Sequence, residues 1–234
     1  MALLDGAIEN DPTARLKAVK SQKPPPDPLT LEEVRLLLDW MVKHQADAVR
    51  NLFEVAIFTG LRTSELIALQ WGDIDFNAGL LRVQRAKVFR EYKGTKTSQI
   101  RDVELNSRAM AALQRHKAHG FLAGGTVFLH PRTGEPFNDD KPVRLLWDAA
   151  LKGMGIRHRN AYQTRHTFAT LNLMAGANPM WVARQMGHTT MKMTLERYAR
   201  WIDSADRGNE RAKLEARKSG ERWESMQNLP SENQ

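Results

Sequence analysis

Residues 161–198 constrain the fold more tightly than any other part of this chain. They read AYQTRHTFATLNLMAGANPMWVARQMGHTTMKMTLERY, and glycine and proline divide them into helical pieces. A helix over 162–175 must stop at Gly176-Ala177-Asn178-Pro179, because proline is tolerated only in the first turn of the next helix. That next helix covers 179–186 and ends at Gly187, the residue type best suited to a helix C-terminus. A third, over about 190–201, is amphipathic. This half of the chain is therefore helical.

Upstream, the globular part begins sharply at Leu29. Thr30 with Glu33 three residues on makes a capping box, and Leu29 and Val34 are placed to staple it. Leu31, Val34, Leu37, Leu38 and Met41 form an apolar stripe of helical period over 31–42. A second helix, 46–59, buries Val49, Leu52, Phe53, Ala56 and Ile57 and ends at Gly60. A short helix over 63–69 follows, which puts Arg62 in a tight corner between two buried helices. Residues 71–76 read as a turn. Alternating apolar and polar residues make 80–85 and 100–105 two strands, with KGTKTS (93–98) as the polar tip of their hairpin. A helix over 107–119, an edge strand over 124–129, a loop over 131–141 and a helix over 143–154 complete this stretch. Arg157, His158 and Arg159 then form a basic turn. The fold class is α+β, mostly α-helical, with a small antiparallel sheet.

The ends differ in character. Residues 1–28 start like the last turns of a helix, broken at Asn10-Asp11-Pro12, and continue as a basic linker stiffened by Pro24, Pro25 and Pro26. Such a linker is a solvated tether or a strap whose lysines follow a phosphate backbone. Residues 203–234 are densely charged and read as a solvated tail. The domain plan is thus 1–28, 29–202 and 203–234.

Composition narrows the chemistry. Lys plus Arg number 35 against 27 for Asp plus Glu, a net charge of +8 that favours a polyanionic partner. With no cysteine there is no disulfide, thiolate metal site or cysteine nucleophile. No apolar run approaches a membrane span and Met1-Ala2-Leu3-Leu4-Asp5 is not a signal peptide, so a cytoplasmic location is expected. What remains are two arginines, Arg62 and Arg165, with His188 and Tyr198. Guanidinium forks bind phosphate oxygens bidentately and stay charged. A tyrosine nucleophile conserves the energy of a broken phosphodiester in a covalent link, so neither a metal nor a cofactor is expected. Lys96, on the hairpin tip, is placed to protonate the leaving oxygen. Singly, each residue has an ordinary role: Glu65 can pair Arg62, a histidine can cap a helix, and Tyr198 stands at helical spacing from Leu195. The set together is what carries weight.

That set, namely Arg62 in TGLRTSEL, Arg165-His166-Thr167-Phe168-Ala169-Thr170, Gly187-His188 and Tyr198, resembles the tyrosine recombinases, particularly phage integrases. The resemblance runs over residues 29–201. It implies the recombinase catalytic fold with its sheet on one side. It also implies that Arg62 and Arg165 bind the scissile phosphate, Lys96 is the hairpin lysine, His188 assists, Glu65 supports Arg62, and Tyr198 is the nucleophile. Double-stranded DNA attachment sites, a homotetramer on DNA and a host DNA-bending protein are the partners it implies. One position departs: Tyr162 stands where the family usually has histidine, which leaves the proton acceptor for Tyr198 unassigned. His166 is near in sequence, yet consecutive helical residues point different ways. The family's separate core-binding domain is represented only by residues 1–28. The implied activity is site-specific recombination for integration or excision through a 3′-phosphotyrosine. The alternatives are a non-catalytic or truncated DNA-binding remnant of a prophage integrase, and strand relaxation like that of type IB topoisomerases.

Overall fold

Helix α2 (Asp47–Thr59) is buried almost all round, and the other elements are laid against it in a computed structural model that describes residues 25–93 and 100–206. Val49, Leu52, Phe53, Val55, Ala56 and Ile57 all lie in the main core, as expected for a helix apolar on every face. Its buried polar residues are Asn51, Thr59 and Glu54, and the Glu54 carboxylate is paired by Arg50, Arg108 and Arg115. Without them its charge could not remain in the interior. Around α2 pack α1 (Leu31–His44), α4 (Ser107–His116) and α6 (Gln163–Met174). The Thr30–Glu33 capping box forms as read, and α1 presents Val34, Leu37, Leu38 and Met41 inward. Helix α5 (Lys141–Gly153) leans on α1, anchored by Trp147, whose Nε1 donates to the Arg159 carbonyl at 2.7 Å.

The sheet is antiparallel in the order β1 (Ile74–Asp75), β2 (Leu80–Val83), β5 (Arg101–Glu104). Ile74 faces Leu81, and Leu81 faces Val103; all three are buried. Across the exposed face Arg82 bonds Asp102 at 3.0 Å. Sequence reading took 71–76 as a turn. Trp71–Asp73 turns and the chain turns again from Phe76, but Ile74–Asp75 between them is a strand, too short at two residues to show alternation before its pairing is known. The strand expected over 80–85 stops at Val83, because Gln84 and Arg85 both turn to the Asp73 carboxylate, each at 2.6 Å.

Between β2 and β5 the chain makes a hairpin that the sequence did not announce, β3 (Ala86–Val88) and β4 (Glu91–Lys93). Its turn residues, Phe89 and Arg90, both have positive φ, 50° and 69°. Asn-Gly or Asp-Gly normally flags such a turn, and neither is present. Lys96 and residues 94–99 lie outside the described residues. The edge strand expected over 124–129 reduces to two isolated bridges, Gln70 with Thr126 and Leu129 with Pro136. No ladder extends there because Val127 gives its N–H to the Leu69 carbonyl and its own carbonyl to His116.

Helices α6, α7 (Pro179–Met186) and α8 (Met191–Asp206) enclose a second, smaller apolar cluster: Phe168, Ala169, Leu173, Val182, Met186 and Tyr198. Helix α6 touches both cores, since it also packs on α2. Its shared position fixes the distance between the N-terminal corner and the C-terminal helices. Residues 1–24 and 207–234, with most of the linker and the charged tail, lie outside the described residues. Among those described, no helix is long and apolar enough to cross a membrane.

Candidate active site

The site is built where α2 ends. Gly60 closes that helix in the left-handed region, φ 66°, and a Cβ there would stand 2.5 Å from the Phe168 ring. Only glycine allows both the turn and the close approach of α6. The chain reverses into α3 (Thr63–Leu66), a helix shorter than the expected 63–69, and Arg62 sits at its N-cap. The Arg62 guanidinium donates to Glu65 Oε1 at 2.7 Å and to the Gly187 carbonyl at 3.3 Å. Glu65 Oε2 in turn accepts the Arg62 backbone N–H at 2.9 Å.

Glu65 does not belong to Arg62 alone. Arg101, on β5, reaches it with two parallel hydrogen bonds of 3.1 and 2.7 Å, and its Nε donates to the Gln185 carbonyl at 2.9 Å. Sequence reading missed Arg101, which looked like one polar residue of an alternating strand. Its partner is 36 positions away, beyond any local spacing signal. Burial of Glu65 opposes its ionisation, but the bonds and charges of Arg101 and then Arg62 overcome it and hold the pKa at about 2. Two guanidiniums thus share one carboxylate, and the corner keeps a net positive charge. The ordinary role for Arg62, an ion pair with Glu65, is present and leaves that excess intact.

Arg165 enters from the first turn of α6 and is 1% exposed. It donates to the Gly60 carbonyl at 2.7 Å and the Met186 carbonyl at 2.5 Å, while its buried Nε–H has no partner among the described residues. Its hydrogen bonds include no carboxylate. Burial, aided by the charge of Arg62 and opposed by Tyr162, lowers its pKa to about 10, so it remains charged at neutral pH. Arg62 and Arg165 therefore converge on one corner, bonding the consecutive carbonyls of Gly187 and Met186.

Gly187 ends α7 with φ 65°, and His188 follows with Nδ1 2.7 Å from Thr194 Oγ1. Burial, then Arg165 and Arg62, push the imidazole to about 3, so the ring is neutral. When Nδ1 accepts the Thr194 hydroxyl, Nε2–H is left as a donor. The ring lies nearly parallel to that of Tyr198, at 10° with centroids 6.5 Å apart. Tyr198 itself is 1% exposed in the second core. Neighbouring cations favour a phenolate, since a nearby positive charge stabilises the charged form. Burial outweighs them: the pKa is raised well above that of a free phenol, although Arg165 and Arg197 pull the other way. Arg200, two residues on, bonds the Pro26 carbonyl and lies 3.8 Å over the Trp201 ring.

His166 and Tyr162 fall on the same side of α6. The Tyr198 hydroxyl lies 2.6 Å from His166 Nδ1, and the half-exposed Tyr162 meets the His166 ring edge-on at 5.2 Å. Consecutive residues do diverge, Arg165 toward α2 and α7, His166 toward α8. Sequence reasoning did not foresee that α8 folds back onto α6 and brings Tyr198 to the second of them. The basic turn is structural in the described chain. Arg159 pairs with Asp27 and Glu33, Arg157 with Asp27, and His158 with Asp148.

A mostly helical domain with a small antiparallel flank, gathering two arginines, imidazoles and a tyrosine at one corner, defines the catalytic-domain class of the tyrosine recombinases. The chain belongs to the phage integrase family, whose model matches residues 27–204. It is 35% identical over 226 residues to the prophage integrase IntR of Escherichia coli K12, covering 86% of this chain and 54% of that protein. It is 27% identical over 216 residues to the tyrosine recombinase XerC of Pelobacter propionicus, covering 89% and 68%. The chain spans about half the length of the E. coli relatives it matches. Among solved structures, the Tn1549 transposon integrase in complex with transposon right end DNA superposes with a TM-score of 0.69 at 25% identity, over 85% of this chain and 68% of that one. A lambda integrase dimer bound to a core site superposes at 0.61 and 21%, over 82% and 68%.

Proposed function

We propose that this chain carries the catalytic part of a site-specific DNA recombinase that cuts and rejoins strands for integration or excision of a mobile element. Tyr198 Oη attacks the scissile phosphorus, the bond to the 5′-oxygen breaks, and a 3′-phosphotyrosine forms. Arg62 and Arg165 hold the non-bridging oxygens, His188 donates to one of them through Nε2–H, and Lys96 gives the departing 5′-oxygen its proton. Attack by a 5′-hydroxyl on the tyrosyl ester reverses each step. The partner is duplex DNA, engaged as a homotetramer with a host DNA-bending protein. Residues 1–28 provide the link to a core-binding part, and 203–234 provide a tail for self-association.

The observation that supports this best is Arg165. A fully buried guanidinium with no bonded carboxylate and an unused Nε–H, next to a second guanidinium and a phenol, suits a tetrahedral oxyanion. The test is a nicked duplex tiled from DNA flanking the gene, scored for a denaturation-resistant protein–DNA adduct. Wild type forms it, Tyr198→Phe binds the same DNA without forming it, and Arg165→Ala slows it by roughly 10²–10³-fold, the usual effect of losing one oxyanion donor. An adduct that persists in Tyr198→Phe overturns the assignment.

A second reading, a DNA-binding remnant, is favoured by one observation. IntQ of E. coli K12, described as a defective protein, is 34% identical over 225 residues, covering 85% of this chain and 56% of its own length. DNA binding with no adduct in wild type selects it. Supercoil relaxation without strand exchange selects a topoisomerase-like activity.

A further inference from the structure

Strand cleavage at Tyr198 requires the phenol to lose a proton, and the surroundings of its hydroxyl restrict where that proton goes. Arg165 and Arg197 are guanidiniums, which offer no acceptor for a proton. Tyr162 is itself a phenol, a group that donates a hydrogen bond but is a poor base. His188 has Nδ1 engaged with Thr194, and its ring lies parallel to that of Tyr198 at a 6.5 Å centroid distance. His166 alone, among the described residues, bonds the hydroxyl, with Nδ1 2.6 Å away in a buried contact. We infer that His166 is the catalytic proton acceptor: Nδ1 takes the Tyr198 proton as Oη bonds to phosphorus, and returns it to Oη when a 5′-hydroxyl displaces the tyrosine. This rests on the strand-transfer reading proposed above.

Three features support it beyond the distance. The ring is 8% exposed, so solvent does not compete for the lone pair. Tyr162 stands one helical turn before His166 and packs edge-on at 5.2 Å, which limits the swing of the imidazole. Burial, with the charges of Arg197 and Arg165, lowers the His166 pKa to about 4, so the acceptor is neutral and ready at pH 7. The same surroundings make transfer uphill in the resting protein. A bound phosphate supplies the negative charge that favours an imidazolium, so the proton moves as the bond to phosphorus forms. The charged and titratable groups facing His166 are Tyr162 and Arg165 on α6, Arg197 and Tyr198 on α8, and His188 before α8.

The closing experiment has two arms. In the first, nitrogen-15 NMR of the histidine rings in the wild-type chain reads the tautomer. Nδ1 without hydrogen and Nε2 protonated is the expected result; a proton on Nδ1, which makes the ring a donor to Tyr198, overturns the inference without any variant. In the second, His166→Asn keeps a hydrogen-bond acceptor but cannot take up a proton. Single-turnover cleavage is expected to fall by roughly 10²–10⁴-fold, the range for loss of a general base. The residual rate should rise about tenfold per pH unit over pH 7–9, against a flat wild-type profile. A 5′-bridging phosphorothiolate substrate, whose leaving group needs no proton, should leave this loss unrepaired. An Asn variant with the wild-type rate and a flat profile reduces His166 to a positioning residue, and repair by the phosphorothiolate places it on the leaving-group side; either overturns the inference. Thermal melting checks that the variant folds, and the tautomer decides if it does not. Absence of any wild-type adduct sinks the strand-transfer reading itself, a result distinct from a wild-type adduct that survives undiminished in His166→Asn.

Discussion

At the scale of single residues, Glu65 is the junction on which the positive corner depends. It is 3% exposed, holds two guanidiniums and caps a backbone N–H. Its carboxyl titrates near 2 in the folded chain against an ordinary 4.5, so as pH falls the unfolded chain takes up this proton first. The stabilisation is complete above pH 4.5 and is lost as pH falls toward 2, and amounts to about 3 kcal/mol. Glu65→Gln should lower stability at pH 7 by roughly 3–5 kcal/mol, because Arg101 is left buried without its partner. Urea denaturation at pH 7 and pH 2.5 checks both points: the gap between wild type and variant should narrow steeply at the lower pH. A gap that does not change with pH would mean that Glu65 acts by shape and not by charge.

At the scale of elements, two left-handed glycines end the helices that frame the site, and they differ in what crowds them. A Cβ on Gly60 meets the Phe168 ring at 2.5 Å, in the second core, where little can yield. A Cβ on Gly187 meets the Arg101 guanidinium at 2.9 Å, the far end of a long side chain. Gly60→Ala is expected to cost about 2–4 kcal/mol from backbone strain and overpacking together. Gly187→Ala is expected to cost about 1–2 kcal/mol, the strain of a left-handed L-residue. Its cleavage rate should nonetheless fall at least tenfold, because Arg101 is pushed off Glu65 and the carbonyl that receives Arg62 shifts. Thermal melts beside single-turnover cleavage separate the two. Equal stability losses in both variants would show that the nature of the crowding atom is immaterial.

At the scale of the whole molecule, the protein has a large core around α2 and a smaller one that holds Tyr198, joined through α6. Tyr198, the proposed nucleophile, therefore lies in the part with less apolar burial. Local opening free energies track such burial, so α8 should open well below the global unfolding energy while α2 opens only with it. Native-state hydrogen exchange at low denaturant measures this. Matching opening energies for amides of α8 and α2 would mean that Tyr198 is released only by complete unfolding.

How much of this was legible depended on range. Local rules act within a few residues, and they placed the Thr30–Glu33 cap, the ends at Gly60 and Gly187, the start at Pro179 and the helical character of the chain. Arg62, Arg165, His188 and Tyr198 stood out for another reason, the phosphodiester chemistry that their side chains offer as a set and the recombinase motifs they resemble. Packing alone decided what those residues touch. Arg101 joins Glu65 across 36 positions, and His166 meets Tyr198 across 32, since α8 folds back on α6. The β1 edge and the Phe89-Arg90 hairpin likewise exist through pairing and not through a propensity of their own. Sequence determined the elements and most of the residues that gather at the corner; the tertiary structure decided which of them bond one another, because such contacts depend on how distant helices pack.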